Sequence, residues 1–181
     1  MRIYLPLAVS DLLEPHLYSP SAWQGNAEFC QLWGLDPLDS ESAEDLAMTM
    51  SAMSCLQGEV AGYPGRIVAA LDAKPQELGE ETAPGVFAVK SGFDWQRLVS
   101  LHVDSSDSWE LCAKVRSQVG AEQAAAWCCG DFSEVSANLP AADSPALQLW
   151  EELAAEPLSW FDASELDYLR RTLTENAAFR R

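Results

Sequence analysis

Basic residues are scarce in this sequence: 11 Lys and Arg stand against 28 Asp and Glu, for a net charge of −17. Contact with phosphate backbones relies on lysine and arginine releasing counterions, so this balance argues against nucleic acid. An anionic membrane surface is disfavoured on the same ground. What the charge leaves open is a basic protein partner, or solubility through self-repulsion alone. Histidine is rarer still, with only His16 and His102, which excludes a histidine-built metal centre. No apolar run approaches the ~20 residues that a membrane-spanning helix needs. The opening "MRIYLPLAVSDLLEP" lacks a small-residue cleavage site and soon meets Asp11 and Glu14. It does not read as a signal peptide, and a cytoplasmic location is expected.

Cysteine pairing is also missing. Cys30, Cys55, Cys112, Cys128 and Cys129 are odd in number, form no C-x-x-C and match no zinc spacing. They are expected to be reduced, small apolar core residues. A soft-metal site or vicinal disulfide at Cys128-Cys129 is the alternative, but neighbours in a strand point to opposite faces. The signatures G-x-G-x-x-G, the phosphate loop, G-x-S-x-G and H-E-x-x-H are absent as well. "GYPGR" (62–66) reads as a turn into a strand. No cofactor is expected.

What is present suits one α/β domain. At 181 residues and 48% hydrophobic content, the chain has ample material for a packed core. "RIYLPLA" (2–8) reads as a strand near an edge, and "RIVAALD" (66–72) is an unbroken apolar run that suits a strand buried on both faces. "GVFAVKS" (85–91) and "LVSLHVD" (98–104) continue the series. "EDLAMTMSAMSCLQGEV" is either one helix or a strand at 45–49 followed by a helix at 51–59; the second reading completes a strand-helix-strand unit and is preferred. Asp107, three residues before Glu110, allows an acidic capping box ahead of "WELCAKVRSQV", and Gly120 ends that helix. "AEQAAAWCCGD" reads as a last strand near 124–129. Residues 143–175 read as helical, broken at Pro157, with Asp143 or Ser144 as cap and Pro145 in the first turn.

The sequence therefore predicts a single mixed β-sheet of about five or six strands with packed helices. Its parallel connections should be right-handed crossovers. Residues 1–142 would form the α/β domain, and residues 143–181 a helical C-terminal segment packed on it.

Several stretches carry a resemblance. "MRIYLPLAVSDL", "RIVAALD", "LVSLHVDSSDS" and "LSWFDASELDYL" resemble, in order along most of the chain, a family of short uncharacterised actinobacterial proteins. Members begin Met-Arg-Val-Tyr-(Val/Leu)-Pro, carry a His-Val-Asp-Asp strand end, and close on a Trp-aromatic-Asp/Ala helix. This chain departs from that pattern in a longer middle loop, Ser105 after Asp104, and extra C-terminal residues. The resemblance implies an α/β fold in an actinobacterial cytosol and leaves function open.

Two functional readings follow. Ligands of open α/β sheets collect beyond the carboxyl ends of the strands. If the strands are parallel neighbours, Asp72, Asp104 and Asp131 converge on one rim and could hold Mg²⁺. His102, beside Asp104, would then serve as acid or base, in a small metal-assisted enzyme acting on a phosphate or other anionic metabolite. Strand-end aspartates also cap helices and form turns with no catalytic duty, and that reading is favoured. Seven tryptophans then suggest a non-catalytic protein-protein interaction or regulatory module, as a homodimer or with another protein. Trp150, Trp160 and Phe161 are its candidate contact residues.

Overall fold

The computed structural model describes residues 1–57, 63–133 and 144–178. Its strands are β1 (Arg2–Pro6), β2 (Ser21–Trp23), β3 (Ile67–Asp72), β4 (Leu78–Ala83), β5 (Val86–Val89), β6 (Leu98–Val103) and β7 (Ser159–Asp162). They form one sheet in the order β4-β5-β2-β1-β3-β6-β7. The helices among the described residues are α1 (Ala27–Trp33), α2 (Ser40–Ser54), α3 (Trp109–Gln118), α4 (Ala121–Cys128), α5 (Pro145–Ala155) and α6 (Leu166–Ala178).

The α/β class, the single sheet and its packed helices are as the sequence predicts, with seven strands where five or six are expected. Every neighbouring pair is antiparallel, so the expected parallel crossovers do not form. Alternating strands and helices are compatible with both geometries. Here α1 and α2 carry the chain across the sheet between β2 and β3, and β3 returns antiparallel to β1.

The unbroken apolar run of β3 is buried on both faces, as its composition requires. Ile67, Ala69 and Leu71 enter one apolar layer, closed by Leu166, Leu169 and Leu173 of α6. Val68 and Ala70 enter a second, which holds Phe29 of α1, Met50 of α2, Val115 of α3, Trp127 of α4 and Trp150 of α5. The sheet is thus sandwiched between one α-helix and a layer of five, and α5 and α6, both from the C-terminal stretch, lie on opposite faces of it.

Four local expectations are corrected. The strand at 45–49 is part of α2, whose N-cap Asp39 accepts from the Ser42 amide. Ala43, Ala47 and Met50 bury one face of it at helical spacing. The strand near 124–129 is α4, because Ala124, Trp127 and Cys128 also recur at helical spacing. The helix expected across 143–175 is interrupted by β7, where Trp160 and Phe161 favour extended backbone after Pro157. Asp107 does not cap α3; Ser106–Ser108 form a 3₁₀ turn, and Ser108 precedes the helix without a side-chain cap. Ser144 caps α5 with Pro145 at its start. Residues 58 and 59 of the helix expected at 51–59, Asp143 and the boundary at 142 lie outside the described residues.

Candidate functional site

The rim of acids depends on strand direction, and the direction separates it. Asp72 ends β3, while Asp104 follows β6 beside Arg66, its amide donating to the Arg66 carbonyl at 3.1 Å. Because β3 and β6 are antiparallel, the two carboxylates sit at opposite ends of the sheet, roughly 20 Å apart at ~3.3 Å of rise per residue. Asp72 is exposed and pairs with Arg2, Nε to Oδ1, at 3.0 Å, which holds its carboxyl below the usual carboxylate range. Asp131 lies past α4 on the surface, where its Oδ1 accepts from the Ser133 amide at 3.0 Å. Three carboxylates so placed cannot ligate one cation, whose oxygens must lie within ~2.6 Å of it. No group of three or more metal-ligating side chains is assembled among the described residues.

Asp104 has another occupation. Its Oδ1 accepts from Arg66 Nη2 at 2.8 Å, and its Oδ2 from Arg66 Nε at 2.9 Å and the Arg66 amide at 2.7 Å. The Cys112 thiol donates to the same Oδ2 at 3.3 Å, and burial pushes that thiol up to about 12. Arg66 in turn donates through Nη1 to the Leu153 carbonyl at 2.8 Å and through Nη2 to the Glu156 carbonyl at 3.1 Å, at the end of α5. Tyr63 donates its hydroxyl to the Asp104 carbonyl at 2.6 Å. Every strong donor and acceptor of the pair is thus engaged, and neither side chain reaches solvent. This cluster fastens the β3–β6 strand ends to the helical layer.

The sequence marks it only faintly. Arg66 stands at the entrance to the apolar run of "GYPGR-IVAALD", where a charge has no local partner. Gly65 is fixed by the same cluster, since a Cβ there would lie 2.8 Å from both Asp104 Cβ and the Tyr63 ring.

His102 is half-buried on the α2 side of the sheet, its Nε2 3.0 Å from Ser100 Oγ. Simple alternation places Leu98 with Ser100 and His102; a bulge between Leu98 and Ser100 instead sends Leu98 to the opposite layer with Leu101 and Val103. Burial, and then the nearby Arg2 charge, lower the His102 pKa, with Asp45 opposing. Ser100 is 3% exposed, so the Ser-His pair presents no accessible nucleophile. No hydrogen bond joins His102 to Asp104 among the described residues, and their expected partnership as acid and base is not assembled.

The candidate contact residues divide. Trp150 is 3% exposed and packs edge-on against Trp127, with ring centroids 5.3 Å apart; it is a core residue and withdraws from the contact set. Phe161 lies opposite Leu101 and is half-buried against the α6-side layer. Trp160 lies opposite His102 on β7 and is 59% exposed. Strand β7 is the outermost of the sheet on its side, and no described strand pairs along its outer edge. The opposite edge, β4, is instead blunted by exposed Glu80 and Glu81.

No helix among the described residues is long and apolar enough to cross a membrane. No curated protein and no solved structure matches the chain. Residues 1–169 match the pattern of DUF6912, a family of unknown function, and the chain belongs to that family.

Proposed function

We propose that the protein is a non-catalytic interaction module whose contact strand is β7, with Trp160 as its anchor. The observation that carries this reading is the exposure of Trp160, 59%, on a strand with an open edge. The other six tryptophans are buried or half-buried. Extended segments add to such edges through main-chain hydrogen bonds, and side-chain pockets or anchors give specificity. Large aromatics supply much of the binding energy of protein interfaces. Exposed Glu156, Asp162 and Glu165 surround the strand, and the net charge of −17 disfavours a second copy. The partner we propose is therefore a basic extended segment of another protein. Nucleic acid is not proposed, on the same charge balance. The setting is a reducing cytosol, supported by five free cysteines.

Peptide display tests this directly. Extended peptides are selected on the full chain and counter-screened on Trp160→Ala, and bound peptides are mapped by the Trp160 indole N–H signal. Selected peptides should be basic, shift that signal and lose at least ~10-fold in affinity against the variant. Peptides that bind both proteins equally, or that bind while leaving the Trp160 signal unmoved, would overturn the reading. So would self-association through β7, read by sedimentation and abolished by Trp160→Ala.

A further inference from the structure

The ladder of the sheet fixes which backbone groups of β7 face its open edge. In an antiparallel pair, opposed residues alternate between those that exchange both main-chain hydrogen bonds and those that exchange none. The Asp104 amide donates to the Arg66 carbonyl at 3.1 Å, and the Leu7 amide to the Ile67 carbonyl at 2.9 Å. Arg66 thus bonds toward β6 and Ile67 toward β1. Continued along the β3–β6 register, this alternation bonds His102 to Val68. Leu101 and Val103 are then left to bond their β7 partners, Phe161 and Ser159. Trp160 and Asp162 consequently turn their N–H and C=O groups away from β6, out along the free edge.

A separate contact agrees with that direction. The Asp162 amide donates to Glu165 Oε2 at 2.9 Å, outside the ladder. The two residues form a capping box around the 3₁₀ turn Ala163–Glu165, in which Asp162 Oδ1 accepts from the Ser164 amide at 2.9 Å. The outward groups of β7 therefore differ. Those of Trp160 are left for an added strand. The Asp162 N–H is already taken, by a carboxylate that stands where an added strand would present its carbonyl.

Glu165 is exposed and makes no ion pair among the described residues. A carbonyl oxygen brought against it is repelled, whereas an ammonium or guanidinium gains a charge-assisted hydrogen bond. An added residue opposite Phe161 carries its side chain on the Phe161 face, which α6 covers. Glu165 immediately precedes α6, so a long basic side chain at that position has the carboxylate within reach.

We propose that Glu165 is the specificity residue of this edge: the segment that adds to β7 pairs its backbone with Trp160 and sets a lysine or arginine opposite Phe161, its charge on the Glu165 carboxylate. This rests on β7 being the contact strand, and it narrows the basic segment proposed there to one required position of charge.

Short extended peptides, randomised at every position, are displayed and selected in parallel on the full chain and on Glu165→Gln. Glutamine keeps an acceptor for the Asp162 amide, since capping boxes use either residue; unchanged hydrogen-exchange protection of that amide verifies the turn. Peptides that depend on Trp160 should share Lys or Arg at one position when selected on the unaltered chain. Replacing that residue by methionine should weaken binding to the unaltered chain about 3-fold or more and leave binding to Glu165→Gln unchanged. The Trp160 backbone amide should gain exchange protection in the complex. Three results would sink the inference while leaving β7 as contact strand: Trp160-dependent peptides with no shared basic position, an equal methionine penalty on both proteins, or tighter binding of all peptides to Glu165→Gln. A Trp160 amide left unprotected in the complex refutes the main-chain pairing. A selection without any Trp160-dependent peptide refutes the contact strand itself, and this inference with it.

Discussion

Arg66 and Asp104 meet in a two-point ion pair whose side chains retain 1% and 0% of their surface exposure. An ion pair so deep adds little over an apolar pair of equal volume, but breaking it by removing one partner leaves a buried charge. Asp104→Ala is expected to destabilise the protein by ~3–5 kcal/mol in chemical denaturation. Arg66→Met should cost a similar amount, because the Leu153 and Glu156 carbonyls lose their donor along with the carboxylate. The double variant Arg66→Met/Asp104→Leu should cost clearly less than the sum of the single substitutions. Additivity would mean that the two residues act separately.

Gly65 gives a steric test of the same cluster. A methyl group there would meet Asp104 Cβ and the Tyr63 ring at 2.8 Å, and both are held by hydrogen bonds that resist displacement. Gly65→Ala should therefore destabilise by ~1–3 kcal/mol, as overpacking of a rigid site does. Gly120 provides the control, since nothing lies within 4 Å of a Cβ at that position. Gly120→Ala should leave the denaturation midpoint almost unchanged.

Sequence pattern reveals the buried strands better than it reveals their directions. The apolar run of β3 correctly announces burial on both faces, and "LVSLHVD" announces a strand. Neither fixes antiparallel pairing, which comes from contacts distant in sequence. The expected rim loses the meeting of Asp72 with Asp104 for that reason, and it loses Asp131 because the strand expected before it is the helix α4. Ala-rich segments misled in the other direction: α4 and the middle of α2 contain enough Trp, Met and Cys to suggest strands, and burial at helical spacing decides them. The bulge in β6 leaves no sequence signature, yet it sets which layer receives Leu98. The partner of Asp104 is equally illegible, because Arg66 lies 38 residues away.

Two tryptophans of the C-terminal stretch should respond in opposite ways to the same change. Trp150 fills the helical layer against Trp127, so Trp150→Ala should cost ~3–5 kcal/mol through lost burial and a cavity. Trp160→Ala removes a mostly exposed ring from an edge strand, and should cost under ~1 kcal/mol. Equal losses in thermal or chemical denaturation would contradict the assignment of one to the core and the other to the surface.

His102 gives the fold a pH dependence of definite sign. Burial and Arg2 lower its pKa from the ordinary 6.5, so on folding near that pH the ring gives up protons that the unfolded chain would hold. Stability from this group is complete above about pH 6.5 and is lost as pH falls through the window between the unfolded and folded values. His102→Gln should flatten the rise in stability across that window and leave the carboxylate-driven loss at lower pH in place. Direct titration of the ring by NMR should give a midpoint below 6.5; a midpoint above it would place Asp45, rather than burial, in control.

The thiols should separate by environment. Cys112 is buried, donates to the Asp104 carboxylate and is pushed up to about 12 by burial first and the neighbouring carboxylate second. Cys128 is buried too, and its thiol is raised by the same desolvation. Alkylation requires the thiolate and access to it, so neither should be modified in the native protein at mildly alkaline pH. Half-buried Cys129 should react before them. Mass spectrometry after timed iodoacetamide treatment should show Cys129 labelled first, with Cys112 and Cys128 labelled only once denaturant is added. Labelling of Cys112 at the rate of Cys129 would mean that the cluster around Asp104 opens without global unfolding, against its role in fastening strand ends to helices.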